Sequence, residues 1–98
     1  MSKLMTILEQ MHDEARGAEE YAKCAVHCAS SDSELADAYI SMAKTEIEHF
    51  AKLQRHAVKL CQQLKAAGHD MCEEVYAHCE SRDLVHIAEA KTLIDDYR

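Results

Sequence analysis

The chain has 98 residues, enough for a single domain spanning 1–98 and too few for separate substrate and cofactor domains. It contains no proline and no tryptophan, only two glycines and one phenylalanine, and it is rich in alanine, glutamate, lysine and leucine. Those residues lose little side-chain freedom in a helix, and the β-branched and aromatic runs of long strands are missing, so the expected class is all-α. The net charge of −7 argues against nucleic acid as a partner, since binding phosphates needs a basic surface.

Three helices are predicted, at about residues 2–30, 33–67 and 70–97. The first carries Leu4, Leu8, Met11, Ala15, Ala18, Ala22, Ala25 and Ala29 on an alternation of four and three. Such a row keeps one face toward a neighbour over about 40 Å at about 1.5 Å per residue. Ile7, Glu14, Tyr21 and Cys28 flank it at intervals of seven. The helix should end within Ser30–Glu34, where Ser31 and Glu34 have the spacing of a capping box.

The second helix has two adjacent rows. One runs Leu35, Tyr39, Met42, Glu46, His49, Leu53, His56 and Leu60. The other runs Ala36, Ile40, Ala43, Ile47, Phe50, Ala57, Cys61 and Leu64, with Gln54 its polar member. Rows about 100° apart require more than one neighbour. Gly68 suits the left-handed position beyond the helix end, and Asp70 is expected to cap the third helix, with Glu73 and Glu74 in its first turn. There the apolar phase is less regular, with Cys72, Tyr76, Cys79, Ala90, Leu93 and Tyr97 as one row and Ser81-Arg82-Asp83 as a potential interruption.

No apolar stretch approaches the roughly 18 residues of a membrane span, and no signal-peptide core is evident at the N-terminus, so the expected compartment is the cytoplasm and no membrane partner is expected. Five cysteines, an odd number, fit reduced thiols better than a secreted disulfide framework.

The informative residues are polar side chains on rows that should face inward: Glu14 on the first helix, Glu46 and His49 on the second. Three residues apart, Glu46 and His49 share a helix face and can reach one ion. Taking a carboxylate out of water is costly, and a di- or trivalent cation offsets that cost directly. The bland reading stays open beside it: Glu46 and His49 hydrogen-bonded to each other or to Tyr39, with no metal. Glu19, Glu20 and Glu48 read as solubilising charge, and His12, His56, His69 and His78 as surface or rim residues.

The stretch from Asp13-Glu14-Ala15-Arg16 through Glu20-Tyr21-Ala22, followed by Glu46-Ile47-Glu48-His49, resembles the first half of a ferritin-like, rubrerythrin-type di-iron carboxylate protein. The resemblance covers about residues 4–64. It implies metal ligation by Glu14, Glu46 (a potential bridging carboxylate) and His49. A full ferritin-like bundle has four helices and two such half-sites, whereas this chain has one clear Glu-x-x-His. It therefore looks more like the short half-bundle forms, such as the encapsulated ferritin-like proteins, in which an antiparallel helical hairpin completes a four-helix bundle by dimerisation. Two copies of Glu14, Glu46 and His49 would surround two ions. A thin monomeric core points the same way, to a homodimer or a larger even-numbered assembly.

Oxygen-rich ligation with one imidazole per ion suits iron, in a di-iron site, or manganese, with zinc as an alternative. With iron, the resemblance implies a ferroxidase-type oxidation of Fe(II) by dioxygen or peroxide. Tyr21 and Tyr39 lie near the site in helical projection, either as hydrogen-bonding support for ligands or as core packing. Asp83-x-x-His86 repeats the Glu46-x-x-His49 spacing, either as further ligands or as a rim pair. In Cys24-x-x-His27-Cys28, Cys24 and Cys28 are one turn apart and can share a soft ion such as Cu(I) or Zn(II), while Cys28, Cys61 and Cys79 read equally as small buried packing residues. Three functions therefore compete: a ferritin-like metal protein, a helical oligomerisation module without metal, and a soft-metal binder.

Overall fold

The computed structural model describes residues 2–97, which form three α-helices: α1 Ser2–Cys28, α2 Ser33–Ala66 and α3 Cys72–Asp96. α1 and α2 make an antiparallel hairpin, in which Glu14 meets His49 while Tyr21 meets Tyr39. α3 runs back along the hairpin, antiparallel to α2 and alongside α1: Gln54 reaches Glu80, His12 reaches Asp83 and Glu19 reaches His86. The result is a rod with principal extents of 55 × 17 × 16 Å.

The four-three row of α1 is buried from Leu4 to Ala25. Its alanines allow close approach, and they meet small residues from the other helices, including Ala36, Ala43, Ala57 and Ala90, all fully buried. Fully buried Leu4 and Met11 anchor one end of this seam, each contributing on the order of 1.5–3 kcal/mol of apolar burial. On α2 the row containing Ala36, Ile40, Ala43, Phe50, Ala57 and Cys61 is the one that α1 and α3 cover. The other row is left at the rim: Leu35 and Met42 are 43% and 42% exposed, and Tyr39, Leu53 and Leu60 are half-buried.

Helix termini depart from expectation in two places. Asp32, not Ser31, caps α2: its Oδ1 accepts the Leu35 amide at 3.0 Å, while the Ser31 hydroxyl bonds back to Cys28 O. A carboxylate beside the positive end of the helix outcompetes a hydroxyl one residue earlier. Asp70 does not cap α3; the helix starts at Cys72, after Met71, with no side-chain cap. At the end of α2, Gly68 takes φ +95°, and the amides of His69 and Gly68 bond to the carbonyls of Leu64 and Lys65. That paired closure requires a left-handed residue, which explains the glycine.

α3 is continuous through Ser81-Arg82-Asp83, where the sequence pattern leaves room for an interruption. Asp83 completes an inward row of Cys72, Tyr76, Cys79, Asp83, Ile87 and Ala90, members of which are buried or half-buried. Its place on this row holds the helix against α1 rather than breaking it. Among the described residues, no helix is long and apolar enough to cross a membrane.

Candidate metal centre

Glu14 on α1 and Glu46 and His49 on α2 converge on the open side of the hairpin. One ligand atom from each lies within 4.8 Å of the others. This is the only such group of three His, Cys, Asp or Glu side chains among the described residues. Antiparallel pairing sets the meeting point, and the three-residue spacing on α2 puts carboxylate and imidazole on one face. His49 Nδ1 stands 3.4 Å from Glu14 Oε2; the Glu14 side chain is 23% exposed and that of His49 47%. His49 is thus exposed at the rim, where the sequence pattern placed it on an inward row. α3 packs against the neighbouring α2 row, so none of the described residues covers it.

Glu14 Oε2 is buried and has no hydrogen-bond partner, the kind of orphaned acceptor that a cation satisfies. Glu46 is also perturbed: burial first, then the neighbouring Glu14 carboxylate, pushes its carboxyl up to about 7. Two carboxylates this close retain a proton when no cation is between them. Gly17, one turn beyond Glu14, makes room for this pair. A Cβ there would lie 2.8 Å from Glu46 Oε2. Sequence reading passed over Gly17 because it belongs to no glycine-rich loop. Its position one turn beyond Glu14 on the same helix is the signal that was available.

The centre is open at both ends along the α1–α2 groove. One depression is lined by Gln10, Glu14, His49, Lys52 and Leu53, and another by Tyr21, Ser41, Met42, Thr45 and Glu46. Tyr21 and Tyr39 stack on each other with ring centroids 6.1 Å apart. Three protein donors with two carboxylates and one imidazole fit a hard or borderline ion and leave further coordination positions open.

Other residues singled out from the sequence lie elsewhere. Cys24 is exposed and Cys28 bonds to Ala25 O, and neither belongs to a three-ligand group among the described residues. His56, His69, His78, Glu20 and Glu48 are exposed, as expected. Two expectations are corrected at the α1–α3 contact: Asp83 is fully buried instead of lying at the rim, and Glu19 is turned inward to His86 at 2.6 Å. His12, half-buried at the rim, is bonded to Asp83 at 2.8 Å. Hydrogen bonds from Lys23 and His86 hold the Glu19 carboxyl below its usual range. Compared with protein-family models, curated proteins and solved structures, the chain matches none.

The retained proton has a measurable consequence in metal-free protein. In the folded state Glu46 holds it to about pH 7, while the unfolded chain loses it near the ordinary value of 4.5. The folded state binds more protons across that window, so this group's contribution to stability is present below it and is lost as pH rises through it. Urea midpoints in chelator at about pH 5 and about pH 7.5 should therefore fall more for the native protein than for Glu46→Gln. Equal pH dependence in the two proteins would contradict the coupling.

Proposed function

We propose that this chain is a metal-binding protein of the ferritin-like kind, holding iron or manganese through Glu14, Glu46 and His49, with the site completed by a second copy. The observation that carries this reading is the gathering of three donors within 4.8 Å around a buried carboxylate oxygen that accepts no hydrogen bond. The donor set fits such an ion: two oxygens and one nitrogen leave the centre short of the coordination it needs. A two-fold copy of the same face would bring six donors to two ions.

The open groove supports the same assembly. Leu35 and Met42 are exposed on the α2 row that carries the ligands, and the half-buried Tyr39 and Leu53 extend it. Apposing two such faces would bury these rows and desolvate the carboxylates, strengthening their attraction for a cation. A pair of iron ions held there would supply one-electron redox chemistry toward dioxygen or peroxide. The chain's own groups have defined parts in it. Glu46 gives up the proton it retains beside Glu14 when a cation takes its place, His49 donates a neutral nitrogen, and Gly17 leaves the Glu46 carboxylate room to turn.

Metal analysis of protein purified without chelator tests this reading directly. About one iron or manganese per chain, in a homodimer or larger even assembly, is the expected result. Met42→Arg places a charge on the groove and should yield monomer in analytical ultracentrifugation, with metal affinity lowered alongside. A monodisperse native monomer that binds no metal would overturn the proposal. A second reading, a metal-free oligomerisation module, draws on the Glu14–His49 ion pair, which already gives the imidazole a partner. A native dimer that stays free of metal when iron or manganese is offered would favour it.

A further inference from the structure

The α2 row left at the rim reads the same from either end. From Leu35 to Leu60 it steps by four, three, four, three, four, three and four, with its midpoint between Glu46 and His49. Leu35 and Leu60 are equidistant from that midpoint, as are Met42 and Leu53, and Tyr39 and His56. On α1, Ile7 and Tyr21 lie seven residues to either side of Glu14, which stands at the same height as His49. A two-fold axis through this centre makes the face its own complement: apolar residue meets apolar residue, and each contact occurs twice.

Charge is divided about the same point. Residues 32–43 hold Asp32, Glu34 and Asp37 and no lysine or arginine, while residues 50–64 hold Lys52, Arg55 and Lys59 and no carboxylate. Antiparallel apposition sets each acidic half against a basic one, whereas a parallel copy confronts like charges. Glu34 and Lys59 are both exposed and share one flank of the row, being about seven whole turns apart. In an antiparallel two-fold pair the same flank of each helix meets, so this acid and this base come together.

The relief agrees with the charge. A hollow of about 500 Å³ opens at the basic end of the groove, its lining including Lys3, Ile7, His56, Lys59 and Leu60 and no carboxylate. At the other end of the groove Tyr21 stacks on Tyr39, and Leu35 is exposed. The two-fold operation brings that bulky end over the hollow.

We propose that α2 recognises α2 of a second copy in an antiparallel register centred between Glu46 and His49. Leu35 meets the partner's Leu60, Met42 meets the partner's Leu53, Tyr39 meets the partner's His56, and Glu34 pairs with the partner's Lys59. The register rests on the second copy inferred for the metal centre, but not on the metal: apolar spacing and divided charge set it before any ion binds.

Photocrosslinking reads the register. One variant carries p-benzoylphenylalanine at position 35, an exposed site whose change leaves the core intact, and a second carries it at position 60. Sedimentation in chelator and with Mn(II) identifies the dimeric state, which is then irradiated. Position 35 should join residues 56–64 of the partner, and position 60 the partner's residues 32–39. Within one chain these stretches lie more than about 30 Å apart along the helix, so such an adduct is intermolecular. Lys59→Glu should weaken the dimer at least about threefold, and Lys59→Glu/Glu34→Lys should restore it. A dimer in which position 35 joins the partner's residues 32–39, or in which neither variant forms an intermolecular adduct, would overturn the register while leaving the second copy in place. So would a charge swap that fails to restore the dimer. A native protein that sediments as a monomer in both conditions would overturn the register and the second copy together.

Discussion

On the proposed metal reading, replacing Glu46 by alanine should abolish transition-metal binding while leaving the metal-free fold as stable as before. The two effects have opposite origins. In metal-free protein Glu46 is a half-buried carboxyl whose proton is held by burial and by the Glu14 carboxylate, not by a network of donors. Removing it relieves that confrontation, and alanine is the better helix former, so stability should stay within about 1 kcal/mol of the native value or rise above it. Metal affinity depends on the same carboxylate in the opposite sense. Substituting an outer-shell residue typically costs about 10–100-fold in affinity, and removing a direct ligand should cost more than about 100-fold. His49→Ala should resemble it more weakly, because His49 is exposed and water can take its coordination position. Calorimetric titration with Mn(II) and denaturant midpoints in chelator measure the two quantities separately. If metal affinity is unchanged in Glu46→Ala, the metal reading fails. If metal-free stability instead drops by several kcal/mol, Glu46 is a structural member of the core.

Much of this arrangement is legible in the sequence. The α1 row from Leu4 to Ala25 is buried as its spacing requires, because an unbroken four-three alternation admits only one inward face. Glu14, Glu46 and His49 come together because two helices joined by a short turn must run antiparallel, which fixes which heights meet. The third helix was harder. Its alternation runs Cys72, Tyr76, Cys79 and then Asp83, and a charged residue in that position reads as an interruption unless its partners are known. Those partners, His12 and Arg82, include a residue 71 positions away, which local pattern does not reveal. For the same reason Glu19 reads as solubilising charge and His12 as a surface or rim residue. Each is turned inward by a group on α3, not by a preference of its own helix.

The two α2 rows illustrate a different limit. Periodicity shows that both are apolar enough to be covered, but not which one a given neighbour will take. α3 packs on the Ala36–Cys61 row, so the row with Leu35, Met42, Glu46 and His49 remains at the rim. The capping residues failed on a smaller scale, since Ser31 and Asp32 are adjacent and either offers an oxygen. The carboxylate of Asp32 takes the Leu35 amide, and the Ser31 hydroxyl turns back to Cys28 O.

Gly17→Ala separates helix stability from metal binding most sharply, because one methyl group acts on both with opposite sign. Gly17 lies inside α1, where glycine costs about 0.8–1.0 kcal/mol relative to alanine in an exposed helix interior. No positive φ requires it: Gly68 is the only described residue in that region. What occupies its missing side-chain space is the Glu46 carboxylate, with Oε2 2.8 Å from where the alanine Cβ would stand. That atom is the end of a flexible side chain, so the helices can stay in place while the carboxylate swings away. Thermal unfolding in chelator should therefore show a gain of up to about 1 kcal/mol. Metal affinity should fall by at least about tenfold, since a displaced Glu46 no longer shares an ion with Glu14 and His49. A variant stabilised by the methyl group yet binding metal as tightly as the native protein would mean that Glu46 does not need this space to ligate. The carboxylate cradle would then be a packing accident, and Glu46 would have to reach the ion from another rotamer.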